Sequence, residues 1–173
     1  LFVNTFPDID KVGEIFSNPE KTTGVPMAKM ETNSMSTTTS QIFLHDVGWA
    51  QAASAMPDKE FNYIVMIYHT ASDPDSLISL ENKYWSPFIK KAMDSKQTPQ
   101  VAWGNTRILS PSGDDIKFNT VSYDLFKTLK DALMTTWDPA VVFPTEGLTK
   151  INAIETGKRK SVIYRILKVV AAP

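Results

Sequence analysis

The chain has 173 residues, no cysteine, a formal net charge of -1, and 42% hydrophobic against 21% charged residues. That length suits one domain, or two closely packed small ones, with a real core. Lack of cysteine excludes disulfides, thiolate metal sites and a cysteine nucleophile. A charge near zero leaves no electrostatic footprint for nucleic acid, and no run of about eighteen apolar residues exists to span a membrane.

In chain order, residues 1–6 read as a strand and 9–16 as a helix, with Asp8 and Asp10 at its start facing the positive end of the dipole. The Ser/Thr-rich stretch 34–40 reads as a solvated loop, and 41–49 as a strand carrying His45 and Asp46. Adjacent strand residues point to opposite faces, so His45 and Asp46 cannot share one ligand. Residues 61–68, Phe-Asn-Tyr-Ile-Val-Met-Ile-Tyr, are β-branched and aromatic with almost no polar face, the pattern of a strand buried on both sides. His69 ends that strand, where an imidazole can act as a general base.

Ser72-Asp73-Pro74-Asp75 supplies a capping side chain, a proline near the first helical position and early acidic residues. Leu77, Leu80, Tyr84, Phe88 and Ala92 follow at helical spacing. Pro87 lies inside this helix without an amide hydrogen, which predicts a bend near Trp85. Residues 101–109 read as a strand, 110–115 as a turn and 116–123 as the return strand of a hairpin. Asp124 then caps an expected second helix carrying Leu125, Leu129, Ala132, Leu133 and Trp137 on one face. A loop through Pro139 and Pro144 leads past Ile151, the Lys158-Arg159-Lys160 cluster reads as a solvated turn, and 161–170 forms the last strand.

The ends of the chain look alike. Asn4-Thr5-Phe6-Pro7-Asp8-Ile9-Asp10-Lys11-Val12, then Lys29-Met30 and Ser40-Gln41-Ile42-Phe43, parallel Val121-Ser122-Tyr123-Asp124-Leu125-Phe126-Lys127-Thr128-Leu129, Lys150-Ile151 and Ser161-Val162-Ile163-Tyr164. Self-similarity at this scale points to duplicated supersecondary units. The expected fold is α+β: a complete ferredoxin-like β-α-β-β-α-β repeat over 57–173 and the second half of another over 1–56. Either some fifty residues of the first repeat were removed or left out upstream, or a truncated repeat is completed by another chain; the first is expected, since an open sheet edge invites aggregation. The start at Leu1 reads as a processed or trimmed form, and nothing fixes the compartment.

On this element order, with Trp85-Ser86-Pro87, Trp103-Gly104 and Ser110-Pro111-Ser112-Gly113-Asp114, the chain resembles a bacterial branch of the dimeric α+β-barrel superfamily. The resemblance implies antiparallel sheets closing back to back, within one chain or in a homodimer. It also implies activities that range from cofactor-free monooxygenases through isomerases to small-molecule binders, among which fold does not choose.

The candidate site follows from the residues. Trp103, Asn105 and Arg107 alternate along one strand and share a face. With Tyr84 and Trp85 they make an apolar wall rimmed by an amide and a guanidinium, fit for a flat organic ligand bearing a carbonyl or carboxylate. The first reading is a protein that binds a small organic molecule between the sheet and the first helix. The alternatives are a cofactor-independent monooxygenase-like enzyme with His69 as its base, and a structural module. No nucleotide-binding motif, cofactor signature or metal-ligand spacing occurs, so neither cofactor nor metal is expected.

Overall fold

A computed structural model describes residues 8–17, 42–111, 117–157 and 159–167. The chain divides into two compact units, residues 1–41 and 42–173. In the first, helix α1 (Ile9–Ser17) has Asp10 in its opening turn, where a carboxylate meets the positive end of the helix dipole. The expected strand over 1–6 and the loop over 34–40 lie outside the described residues.

The second unit is one antiparallel five-stranded sheet with helices on one face. Its strands are β1 (Phe43–Gln51), β2 (Tyr63–His69), β3 (Gln100–Ser110), β4 (Thr120–Phe126) and β5 (Lys160–Arg165), in the order β1-β3-β4-β2-β5. The short helix α2 (Pro57–Glu60) precedes β2. Between β2 and β3 run α3 (Pro74–Leu80), a π-helical turn at Glu81–Trp85, and α4 (Ser86–Asp94). Between β4 and β5 lie α5 (Leu129–Leu133) and α6 (Thr145–Ile154).

Among the described residues the sheet is single and open, which overturns the expected closure into an α+β barrel, and they form no second sheet. β1, read as part of a separate repeat, instead adds to the free edge of β3, with Ala50 opposite Trp103 and Gly48 opposite Asn105. The face without helices covers itself. Tyr68, Phe118, Tyr123 and Tyr164 lie around Met66, Ile108 and Val121, leaving Val121 with no exposure. Tyr123 comes so close to Gly104 that a Cβ there would collide with its ring, so the aromatic lid depends on that glycine. These aromatic side chains shield the middle of the face, while Trp49, packed against Tyr123, stays 48% exposed.

The helix-covered face holds two apolar clusters. Trp103 packs with Ala50, Ala52, Ile89 and Met93, while Val65, Phe126 and Ala132 pack toward the β5 side. Asp73 caps α3, accepting from the Ser76 amide at 3.0 Å, and Pro74 follows in the first turn. The distortion expected near Trp85 takes the form of the π turn, since Pro87 cannot bond back to the Lys83 carbonyl and the preceding turn widens.

The second helix was misplaced. Asp124 stays in β4, paired through the sheet with Trp103 and Val65, and its carboxylate accepts from Gln100 Nε2 at 2.5 Å. Thr128 is the actual cap, accepting from the Asp131 amide at 3.1 Å, and α5 is only five residues long. The long helix here is α6, which begins just after Pro144 in the stretch expected to be loop. Part of the expected turn, 112–116, and the end of the last strand, 168–170, lie outside the described residues.

Candidate functional site

On the helix-covered face the rule of an apolar interior fails along one strip. Asn105 on β3, Ser122 and Thr120 on β4, and His69 at the end of β2 share this face, and each is at most 4% exposed. Burying a polar group without a partner costs free energy, so the partners decide what such a strip is for.

His69 is held at both ring nitrogens. Nδ1 lies 2.5 Å from Glu155 Oε1, and Nε2 lies 2.7 Å from Ser122 Oγ. A carboxylate only accepts, so Glu155 selects the tautomer with the proton on Nδ1 and leaves Nε2 to accept from the Ser122 hydroxyl. Glu155 is itself fixed by Arg159, whose Nε lies 3.0 Å from both carboxylate oxygens and whose Nη2 lies 2.6 Å from Oε2. Burial pushes the Glu155 carboxyl up, but the bonds from His69 and Arg159 outweigh it and hold the group below the usual range.

The backbone explains why Glu155 arrives here. It follows the last turn of α6, and that end is stapled to the residues after His69: Ser72 N donates to Ile154 O at 3.0 Å and Thr156 N to Thr70 O at 2.9 Å. Asn119 locks the neighbouring turn, accepting from the Ala71 amide at 3.0 Å and donating to the Ala71 carbonyl at 2.8 Å. The end of β2 is therefore clamped on both sides, and the imidazole is preorganised.

A second carboxyl lies under the helices. Glu81 opens the π turn, is 7% exposed, and accepts from Asn105 Nδ2 at 2.9 Å. Burial pushes its carboxyl above the ordinary range, against the smaller opposing effect of the Asn105 bond. Asn105 faces Ser122 across β3 and β4, so the two groups of polar side chains are neighbours in one strip. On the far side, Asn82 Oδ1 and Asn105 Oδ1 close on the α-carbon of Gly48, where a Cβ would collide with both. Asn82 Oδ1, Asn105 Oδ1 and Thr120 Oγ1 are buried without a hydrogen-bond partner.

The residues expected from sequence separate. His69 and Asn105 meet in this strip. Trp85 and Trp103 belong to the apolar cluster beside it, with Trp85 against Phe88 at 5.1 Å between ring centroids and against Trp137 at 6.2 Å. Tyr84 turns to α6, its hydroxyl 3.3 Å from Glu146 Oε1 and 3.2 Å from Lys150 Nζ. Arg107 sits at the margin, donating to the Asn119 carbonyl at 2.8 Å and pairing with the exposed Asp75 at 3.2 Å.

Sequence reasoning missed Ser122, Glu155 and Glu81. Arg159, expected to be solvated, is exposed and in addition orients Glu155. The one available signal was a glutamate and a serine at positions whose neighbours in the pattern are buried. A groove of about 390 Å³ bordered by Asn62, Tyr63, Thr128 and Arg165 opens at the other end of β2, away from His69. Among the described residues no group of three His, Asp or Glu is placed to hold a metal ion, and no helix is long and apolar enough to cross a membrane.

No family model and no curated protein matches the chain. Among solved structures the chain is similar to a crystal structure of an anthrone oxidase-like protein, with a TM-score of 0.56 and 10% identity, over 92% of this chain and 67% of that one. At that identity the likeness concerns the fold alone. Together with the open sheet it replaces the resemblance to dimeric α+β barrels and to a tandem-duplicated branch of them.

Proposed function

We propose that this protein is a cofactor-independent, monooxygenase-like enzyme that oxidises a small aromatic compound of anthrone or polyketide type, with His69 as its base. The observation that carries the reading is the buried Ser122–His69–Glu155 relay. An imidazole fixed at both nitrogens, with a carboxylate behind it and a hydroxyl in front, is arranged to receive a proton through that hydroxyl. The fold shared with an anthrone oxidase-like protein supports the choice of substrate class.

In such a compound a methylene lies between aromatic rings and in conjugation with a carbonyl, so its C–H bond is acidic. The methylene proton passes to Ser122 Oγ as the Ser122 proton passes to His69 Nε2, and the freed electron pair spreads to the substrate oxygen. Dioxygen then takes up the electrons. One oxygen atom becomes the new carbonyl, and the other leaves as water with the two methylene hydrogens. Glu155 stabilises the imidazolium that forms, and Arg159 keeps Glu155 ionised.

The test is oxygen consumption and quinone formation from anthrone, after subtraction of the spontaneous rate in buffer. The native protein is expected to exceed that rate, and His69→Asn and Glu155→Gln, checked for folding by circular dichroism, to lower it about a hundredfold or more. A folded native protein giving only the buffer rate with anthrone and with its hydroxylated analogues would sink the reading.

A further inference from the structure

Removing a proton beside a conjugated carbonyl is half of a reaction. The charge left behind accumulates on the carbonyl oxygen, and in a site without bulk water it must meet a donor. Among the described residues, Asn105 gives one Nδ2 hydrogen to Glu81 and Ser122 gives its hydroxyl to His69, while the Thr120 hydroxyl on β4 is buried without a partner and is a second candidate donor. Arg107 is turned away to Asn119 and Asp75. Glu81 is different. It is buried in the same strip, carried by the π turn that departs from the regular helix, and accepts one hydrogen bond at one oxygen. Wide turns of this kind recur at functional sites because they re-aim a side chain at the cost of a regular helical bond.

We propose that Glu81 is a second catalytic residue of this site, a carboxylic acid whose O–H donates to the carbonyl oxygen of the substrate while the Ser122–His69–Glu155 relay removes the proton from carbon. The proposal rests on the oxidase reading above. The groups facing Glu81 are His69 from β2, Asn105 from β3, Asp124 from β4, Glu155 at the end of α6, Arg159 beyond it, and its neighbour Asn82. Burial is the largest influence and favours the neutral acid, as does the charge of Glu155. The Asn105 bond and the charges of His69 and Arg159 act the other way. The site thus sets two carboxyls to opposite tasks: Glu155, bonded by Arg159, stays ionised behind the base, while Glu81, bonded only by a neutral amide, keeps its proton.

The balance is simple. The C–H bond breaks, its proton ends on His69 Nε2 by way of Ser122, and its electron pair moves to the carbonyl oxygen. Glu81 keeps its proton but shares it more strongly with that oxygen. Dioxygen is the oxidant, as above.

Two variants and two readouts test the idea. Glu81→Gln retains a donor of the same shape, whereas Glu81→Leu removes it. With anthrone, E81Q is expected to stay within about tenfold of the native rate and E81L to fall about a hundredfold or more. The native rate should decline at high pH as the acid ionises, a limb that E81Q lacks. The second readout needs no turnover: the infrared carbonyl stretch of isotope-labelled anthraquinone bound to the full chain. It should move down in the native protein and in E81Q but not in E81L. Compared at pH 7 in an Asp124→Asn background, which removes the other raised carboxyl, the spectrum with Glu81 minus that with E81Q should also contain a protonated carboxyl band.

If the carbonyl shift and carboxyl band appear without oxygen consumption, the oxidase reading fails and the role of Glu81 as donor stands. If turnover is present but E81L matches the native rate, or E81Q falls as far as E81L with the high-pH limb intact, the role of Glu81 is overturned. Failure of anthraquinone to bind overturns it as well.

Discussion

Trp103 and Asn105 leave β3 on the same face, two residues apart, and meet opposite surroundings. Trp103 is 2% exposed and packs in an apolar cluster with Ala50, Ala52, Ile89 and Met93; Asn105 is 1% exposed and joins a carboxyl, a second amide and the edge of an imidazole–hydroxyl pair. Equal burial therefore serves two ends. Around Trp103 burial gives cohesion, because most of the surface removed from water is apolar. Around Asn105 it costs free energy, with three polar atoms left unpaired, and a fold keeps such a strip where chemistry needs fixed donors and acceptors.

The sharpest way to break this comparison is Trp103→Ala. Truncating a fully buried indole should cost about 4 kcal/mol, read as a lowered urea midpoint at unchanged slope. A loss below about 1 kcal/mol would mean that the apolar end of the face is not the part that holds the unit together.

Asp124 marks the border between the two regions, and its effect depends on pH. Burial pushes its carboxyl up to about 7, with the charge of Glu81 adding to the rise and the Gln100 bond opposing it. A folded-state value above the unfolded 3.8 means that the native protein holds this proton more tightly. The associated stability is full below the unfolded value, is lost as pH rises toward about 7, and changes no further above that. Asp124→Asn removes the titration, so native protein should lose about 4 kcal/mol relative to D124N between pH 4 and pH 8, as measured by urea unfolding at both values. Parallel behaviour of the two proteins would show that the carboxyl does not carry its proton into the folded state.

The smallest effect belongs to Arg107. Its partner Asp75 is 85% exposed at the side chain, and such ion pairs contribute little. Arg107→Ala should change stability by less than about 1 kcal/mol and leave the Ser122–His69 contact in place, followed by the imidazole NMR signals. A loss of the His69 signal pattern would restore Arg107 to the site from which the structure separates it.

Much of the local structure was legible in the sequence. The strand ending at His69 announced itself by its unbroken apolar run, α3 by Asp73 and Pro74, and the helical distortion by Pro87. Other elements were misread for identifiable reasons. Asp124 looks like a cap because Leu125 and Leu129 follow at helical spacing, yet Phe126 pairs with both Tyr63 and Gln100, and those remote ladders hold the segment extended. Pro144 looks like loop punctuation, whereas it immediately precedes the first residue of α6. Of the site, His69 was found because histidine is scarce and chemically distinctive. Glu81 and Glu155 resemble any surface glutamate until their burial is known.

Amino-acid pattern alone determined that the chain is α+β and where several of its elements begin, because periodicity and capping are properties of neighbouring residues, but β3 and β4 lie deeper than the strand whose apolar run predicted burial on both sides. Tertiary structure alone decided that the sheet stays single and open, that β1 joins its edge, and that Ser122 and Glu155, 53 and 86 residues from His69, close on the same imidazole. The physical reason is that alternation tells a side chain which face to occupy but not which strand will lie beside it. Strand order and the stapling of α6 to the end of β2 supply that missing choice, and with it the chemistry.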